Sequence, residues 1–246
     1  MTLKEAYNYG IYFLSCNGVE EAEFKSLCLV CHLAGIRNSQ FEQHINDDII
    51  MKRFADLLWR VKSGEPLQYV IGRWDFYESE FFVGKGVLIP RPETEELVEL
   101  AVRHIRALGK CVVYDLCAGS GAIGVSIAKS CPNACVYMIE KSADAMFYLL
   151  KNADGVDNAK VICGDIANDF DLPDADVILS NPPYILQWRY PLYLKADPTL
   201  SLRTHRWFWV SHLPPYPPAS FWPHNRQLPV KNIHSHNFLY SVICLS

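Results

Sequence analysis

No run in this 246-residue chain approaches the roughly 20 consecutive apolar residues that a membrane-crossing helix needs. The first turn is polar and charged, without the basic start and apolar run of a secretory leader, so a soluble, cytoplasmic protein is expected. Positive charge is not in excess. With 23 Lys and Arg against 27 Asp and Glu, the formal charge is −4, and no global field draws the chain to nucleic acid or a lipid surface. The nine cysteines are odd in number and scattered, which argues against a disulfide framework. Cys28 and Cys31 form one C-x-x-C, but no second pair stands at zinc-ligand spacing. Both fall in an apolar helical pattern that suits small buried thiols, and no metal is expected. Glycine is missing everywhere after Gly164, and Asp197 is the only acid from Leu186 onward.

What is present reads as an α/β chain with a helical preface. Residues 1–64 suggest a small all-α bundle. Thr2 and Glu5 have the spacing of a capping box, helices should end near Gly18 and Gly35, and Asp47 is placed to cap a later helix. That helix shows Ile50, Phe54, Leu57, Leu58 and Val61 on one face, and Gly64 stops it. Residues 65–90 are rich in aromatic and β-branched residues broken by Gly72, Gly84 and Gly86, the pattern of a β-hairpin linker. Pro90-Arg91-Pro92 ends that stretch, and a helix should follow over 93–107. From there strands and helices alternate: "CVVYDL", "CVYMIE", "AKVICGD" and "DVILSN" as strands, "GAIGVSIAKSC" and "SADAMFYLLKNADG" as helices. Alternation of this kind implies right-handed crossovers and a doubly wound parallel sheet.

Chemistry concentrates where those strands end. Asp115-Leu-Cys-Ala-Gly119-Ser-Gly121-Ala-Ile-Gly124 lies between the first of these strands and its helix, a tight turn that lets backbone approach a ligand. Glu140, ending the next strand, can accept hydrogen bonds from ribose hydroxyls. Asp165 and Ile166, after the third, are placed to meet an adenine. The pattern fits an adenosine-containing ligand, either a dinucleotide or S-adenosyl-L-methionine. Asp115 at the turn disfavours a pyrophosphate and suits a cationic amino-acid end.

Asn181-Pro182-Pro183-Tyr184 ends the fourth strand. A rigid strand stop would account for two prolines but not for the residues flanking them. Asn181's side-chain oxygen and the Pro182 carbonyl can accept both hydrogens of a planar –NH₂ group, and Tyr184 can stack on its plane. Held this way, the nitrogen lone pair faces an incoming methyl group in near-attack geometry.

These motifs carry a resemblance. "NPPY", "DLCAGSGAIG" and "IEKSADAM" look like those of the Rossmann-like class I methyltransferases that act on planar nitrogens. "PLQYVIGRWDFYESEFFVGKGVLIPRPETEELVE" resembles the bacterial peptide chain release factor glutamine methyltransferases, the HemK/PrmC family. The likeness covers residues 1 to about 202. It implies N5-methylation of the glutamine in the Gly-Gly-Gln loop of class 1 release factors, with S-adenosyl-L-methionine as cofactor. It also implies that the 1–64 module holds the factor; a monomer is expected, and the acidic net charge disfavours a direct nucleic-acid substrate. By the same resemblance Cys117, Ala118, Gly119, Ser120, Gly121, Glu140, Asp165, Ile166 and Asn181 line the cofactor site. Asn181, Pro182, Pro183 and Tyr184 then grip the substrate amide, with Asn181, Pro182 and Tyr184 as the catalytic set.

The chain departs from the family in two places. Cys117 stands where the family usually has glycine. After "ADPTLSL" at 196–202 the likeness stops, so the methyltransferase domain, 91–202, lacks its last strands and is followed by a foreign tail, 203–246. Trp207-Phe208-Trp209 read one base later gives Gly, Phe or Ser, then Gly, so "RTHRWFW" conceals a glycine-rich loop of the family type. A reading-frame shift just after Leu202 is therefore expected. Two other readings stand beside this one: an adenine-N6 methyltransferase acting on nucleic acid, and a non-catalytic remnant that binds release factors.

Overall fold

The computed structural model describes residues 1–166 and 171–181. The expectations placed on Pro182, Pro183, Tyr184 and the 203–246 tail lie outside them. The chain divides into two compact units, residues 1–75 with 79–89, and residues 76–78 with those from 90 onward.

The first unit is built from helices α1 (Leu3–Cys16), α2 (Ala22–Ala34) and α3 (Met51–Lys62), a 3-10 turn over Asn38–Gln43, and the short α4 (Leu67–Ile71). Thr2 and Glu5 do form the capping box at the start of α1, and Gly35 closes α2 in a left-handed conformation. Leu3, Leu14, Leu29 and Phe54 are fully buried in the core. Helices α1 and α2 meet at Gly10, where an added Cβ would lie 2.2 Å from Ser26 Oγ and 2.8 Å from Phe54 Cζ. Cys28 and Cys31 belong to this core. Burial pushes both thiols up, Cys31 to about 11, and Asn38 Nδ2 donates to Cys28 Sγ at 3.2 Å.

One expectation fails in this unit. Asp47 does not cap α3; Ile50 holds that position with no side-chain cap. The Asp47 carboxylate instead pairs with His44 Nδ1 at 2.7 Å, because its backbone is recruited to the start of α1, where its carbonyl accepts from Leu3 N–H at 2.8 Å. The short hairpin expected within 65–90 is present, preceded by α4. It is confined to β1 (Arg73–Phe76) and β2 (Ser79–Phe82), between which Arg73 Nη1 donates to Glu80 Oε2 at 2.9 Å.

The second unit opens on the hairpin turn, where Tyr77 takes φ 55° and its N–H donates to Glu95 Oε1 at 2.8 Å. Glu95 lies in α5 (Glu93–Leu108), the helix expected after "IPRP". A parallel sheet follows in the order β5-β4-β3-β6, from β3 (Cys111–Leu116), β4 (Ala134–Glu140), β5 (Ala159–Cys163) and β6 (Val177–Ser180). Helices α6 (Ala122–Ser130) and α7 (Ala143–Ala153) make the crossovers. Alternation along β3 and β4 puts Val113, Asp115, Val136 and Met138 on one face, with Asp115 beside Met138 in register. The other face carries Tyr114, Tyr137 and Ile178, clustered with Ile139 and Ala175, and Tyr114 Oη donates to the Pro173 carbonyl. This is the Rossmann-like α/β architecture read from the alternation of elements. Among the described residues no helix is long and apolar enough to cross a membrane.

Candidate active site

The strand order creates the site. The chain steps from β3 outward through β4 to β5, then returns to the other side of β3 as β6. The strand order thus reverses at β3 and β6, the place where open α/β sheets bind ligands at the carboxyl ends of their strands. Register aligns those ends, with Leu116 opposite both Ile139 and Ser180, and Glu140 opposite Cys163. One step further along, the Cys117–Gly121 loop, Glu140, Asp165 and Asn181 share that edge.

The loop is held from three sides. Ala118 N–H donates to the Ile139 carbonyl at 3.1 Å, and Gly121 N–H to the Ala118 carbonyl at 2.8 Å. Asn152 of α7 donates to the Ser120 carbonyl at 2.9 Å. Ser120 and Gly121 are buried, whereas Cys117, Ala118 and Gly119 are half-buried at the crevice. Cys117 takes φ 60° in the left-handed region, which explains why glycine suits this position. Its thiol is pushed up to about 11 by burial and by the Glu140 and Asp115 carboxylates, so it is no nucleophile at neutral pH. Cys117→Gly is expected to leave stability within about 1 kcal/mol of the native chain. Cys117→Val, β-branched at positive φ, should lose about 2 kcal/mol in a denaturant titration.

Asp115 does not stand at the mouth of the turn. Alternation along β3 turns it toward α6, where it is fully buried and Oδ2 accepts from Gly124 N–H at 2.9 Å. Oδ1 is buried without a hydrogen-bond partner. Burial, with a smaller push from Glu140, raises its pKa to about 7, against an ordinary 3.8. A raised acid binds its proton more tightly folded than unfolded. Its contribution is thus complete below the ordinary value and is lost as pH rises from about 4 to about 7. Asp115→Asn should match the native chain near pH 4 and exceed it in thermal stability above pH 7. Equal melting curves at both pH values would show that Asp115 stays ionised throughout.

Glu140 wraps around the loop. Oε2 accepts from Gly119 N–H at 2.8 Å, and Oε1 accepts from the N–H groups of Lys141 and Ser142, each at 2.8 Å. The expected ribose acceptor is thereby locked against the glycine turn. Asp165 is half-buried, and its Oδ2 accepts from Lys141 Nζ at 2.6 Å. Ile166, 43% exposed, offers apolar surface at the rim. Asn181 follows β6 directly and is half-buried; Ser180 before it donates from Oγ to the Leu116 carbonyl at 2.8 Å, tying β6 to the end of β3. Sequence reasoning missed Ser180 and Lys141. Each adjoins a residue that was singled out, but their roles depend on a neighbouring strand that no local pattern shows. Among the described residues no group of three or more His, Cys, Asp or Glu is placed to hold a metal.

A Rossmann-like sheet with a glycine turn, Glu140 and Asp165 at neighbouring strand ends and Asn181 at its switch point defines a methyltransferase-type site. The comparisons agree with it. The methyltransferase small domain matches residues 95–190, and the PrmC N-terminal domain matches residues 5–72. A release factor glutamine methyltransferase of Streptomyces coelicolor is 36% identical over 71% of this chain and 64% of its own length. One from Flavobacterium psychrophilum is 39% identical over 56% of this chain and 50% of its own. One from Bacillus cereus is 33% identical over 82% of this chain and 75% of its own. The chain belongs to the release factor glutamine methyltransferase family. It spans between half and two thirds of the length of the first two of these relatives.

Proposed function

We propose that the chain transfers the methyl group of S-adenosylmethionine to N5 of the glutamine in the Gly-Gly-Gln motif of class 1 peptide chain release factors. The observation that supports this reading is the register of β6 on β3, Leu116 opposite Ser180, with Cys117 and Asn181 each the next residue along its strand. The site also fits a cationic ligand. Glu140 at the end of β4 and Asp165 just past β5 put negative charge at the strand ends and would repel a pyrophosphate.

In this reading Cys117 to Gly121 lie along the methionine end, Glu140 takes the ribose, and Asp165 with Ile166 meets the adenine. Bound S-adenosylmethionine supplies an electrophilic methyl group on a sulfonium. Asn181's side-chain oxygen and the Pro182 carbonyl accept the two amide hydrogens, Tyr184 stacks on the amide, and the nitrogen lone pair is turned toward that methyl. The same acceptors stabilise positive charge developing on nitrogen, and the product's surplus proton leaves to water. No acid–base side chain is required.

The helical residues 1–64 hold the factor, 65–90 link them to the catalytic domain over 91–202, and the protein works as a cytoplasmic monomer without a direct nucleic-acid substrate. A shifted reading frame accounts for the tail over 203–246. Resequencing the coding DNA across Leu200 to Trp209 checks this, since codons incompatible with the alternate frame would rule it out.

The functional test is mass spectrometry of a purified class 1 release factor incubated with the full chain and S-adenosylmethionine. One added methyl on the Gly-Gly-Gln glutamine supports the reading. Methylation of duplex DNA instead would favour adenine-N6 chemistry, and a bound but unmodified factor would favour the non-catalytic remnant.

A further inference from the structure

Glu140 ends β4 beside the end of β5, Lys141 follows it, and Gly164 N–H donates to the Glu140 carbonyl at 2.9 Å. Across this junction Lys141 Nζ meets Asp165 Oδ2 at 2.6 Å, with side-chain exposures of 73% and 32%. Asp165 is half-buried and directly follows Gly164, whose N–H joins the two strand ends. Glu140 stands at the neighbouring strand end, and the Lys141 ammonium gives Asp165 an opposite charge beside that second carboxylate.

From this geometry we propose that Lys141 is a positioning residue for base recognition. Its ammonium fixes Asp165 so that the site accepts a 6-amino purine and rejects a 6-oxo one. The proposal rests on the cofactor reading above. An ionised carboxylate accepts a hydrogen bond from an exocyclic amine but repels a carbonyl oxygen. A site built to pair with a polar group discriminates strongly against an analogue lacking it.

The test is calorimetric titration of the full chain with S-adenosylhomocysteine and with its inosine counterpart. The proteins are the native chain, Lys141→Met, Lys141→Arg, Asp165→Asn and the Met–Asn double variant. Lys141→Met should weaken the adenosine ligand about fivefold, the scale of a partly exposed charge pair. It should leave the inosine ligand unchanged, so that the preference for adenine falls by the same factor. Lys141→Arg should restore most of that preference, and Lys141→Met should cost nothing further in the Asp165→Asn background. Unchanged affinity, equal weakening of both ligands, or a persisting loss in that background would each overturn the proposal. If the native chain takes up no S-adenosylhomocysteine, the cofactor reading itself falls and this proposal falls with it.

Discussion

Asn181→Ala should lower kcat for methyl transfer to a release factor by about 10²–10³-fold, the usual cost of removing one preorganised polar group that acts on developing charge. Binding of S-adenosylhomocysteine should change far less, because the Cys117–Gly121 turn, Glu140 and Asp165 remain. The reason is geometric. In the proposed function the side-chain oxygen of Asn181 is one of two acceptors that turn the substrate amide, and a free amide nitrogen with its lone pair delocalised is a poor nucleophile. Single-turnover kinetics with the factor in excess separates the two effects. A fall in cofactor affinity that accounts for the whole rate loss would place Asn181 in cofactor binding and not in amide orientation.

Gly124→Ala should destabilise the second unit by about 3 kcal/mol, at the upper end of overpacking costs. Gly124 sits where α6 crosses the sheet. An added Cβ would lie 2.5 Å from Met138 Cγ, 2.6 Å from Met138 Sδ and 2.9 Å from Asp115 Oδ2. Met138 is fully buried and cannot swing out to water. Shifting α6 instead would break the Gly124 N–H to Asp115 bond and move the glycine turn that precedes the helix. Loss of stability and loss of cofactor binding should therefore travel together. A denaturation midpoint equal to that of the native chain would show that Met138 has room to move.

The residues of the candidate site were legible because their chemistry is local. A glycine turn after an apolar strand, an acid ending the next strand and Asn-Pro-Pro-Tyr ending another can each be read from a short window. The α/β order was legible for the same reason, since periodicity switches at each element. What could not be read depends on distant chain. Asp47 looked like a cap until the pairing of its backbone with the start of α1 took it elsewhere. Asp115 looked like a ligand contact, yet the face it occupies is set by pairing with β4, which turns it toward α6. Lys141 had no local mark at all, because its partner Asp165 is reached only when β4 and β5 lie side by side.

The most direct measurement is amide hydrogen exchange of the full chain with and without S-adenosylhomocysteine. If the strand-end crevice holds the cofactor, exchange slows at Ala118 to Gly121, at Lys141 and Ser142, and at Gly164 to Ile166, and is unchanged in the helices of residues 1–64. Protection confined to those helices, or no protection anywhere, would contradict a cofactor site at the switch point between β3 and β6.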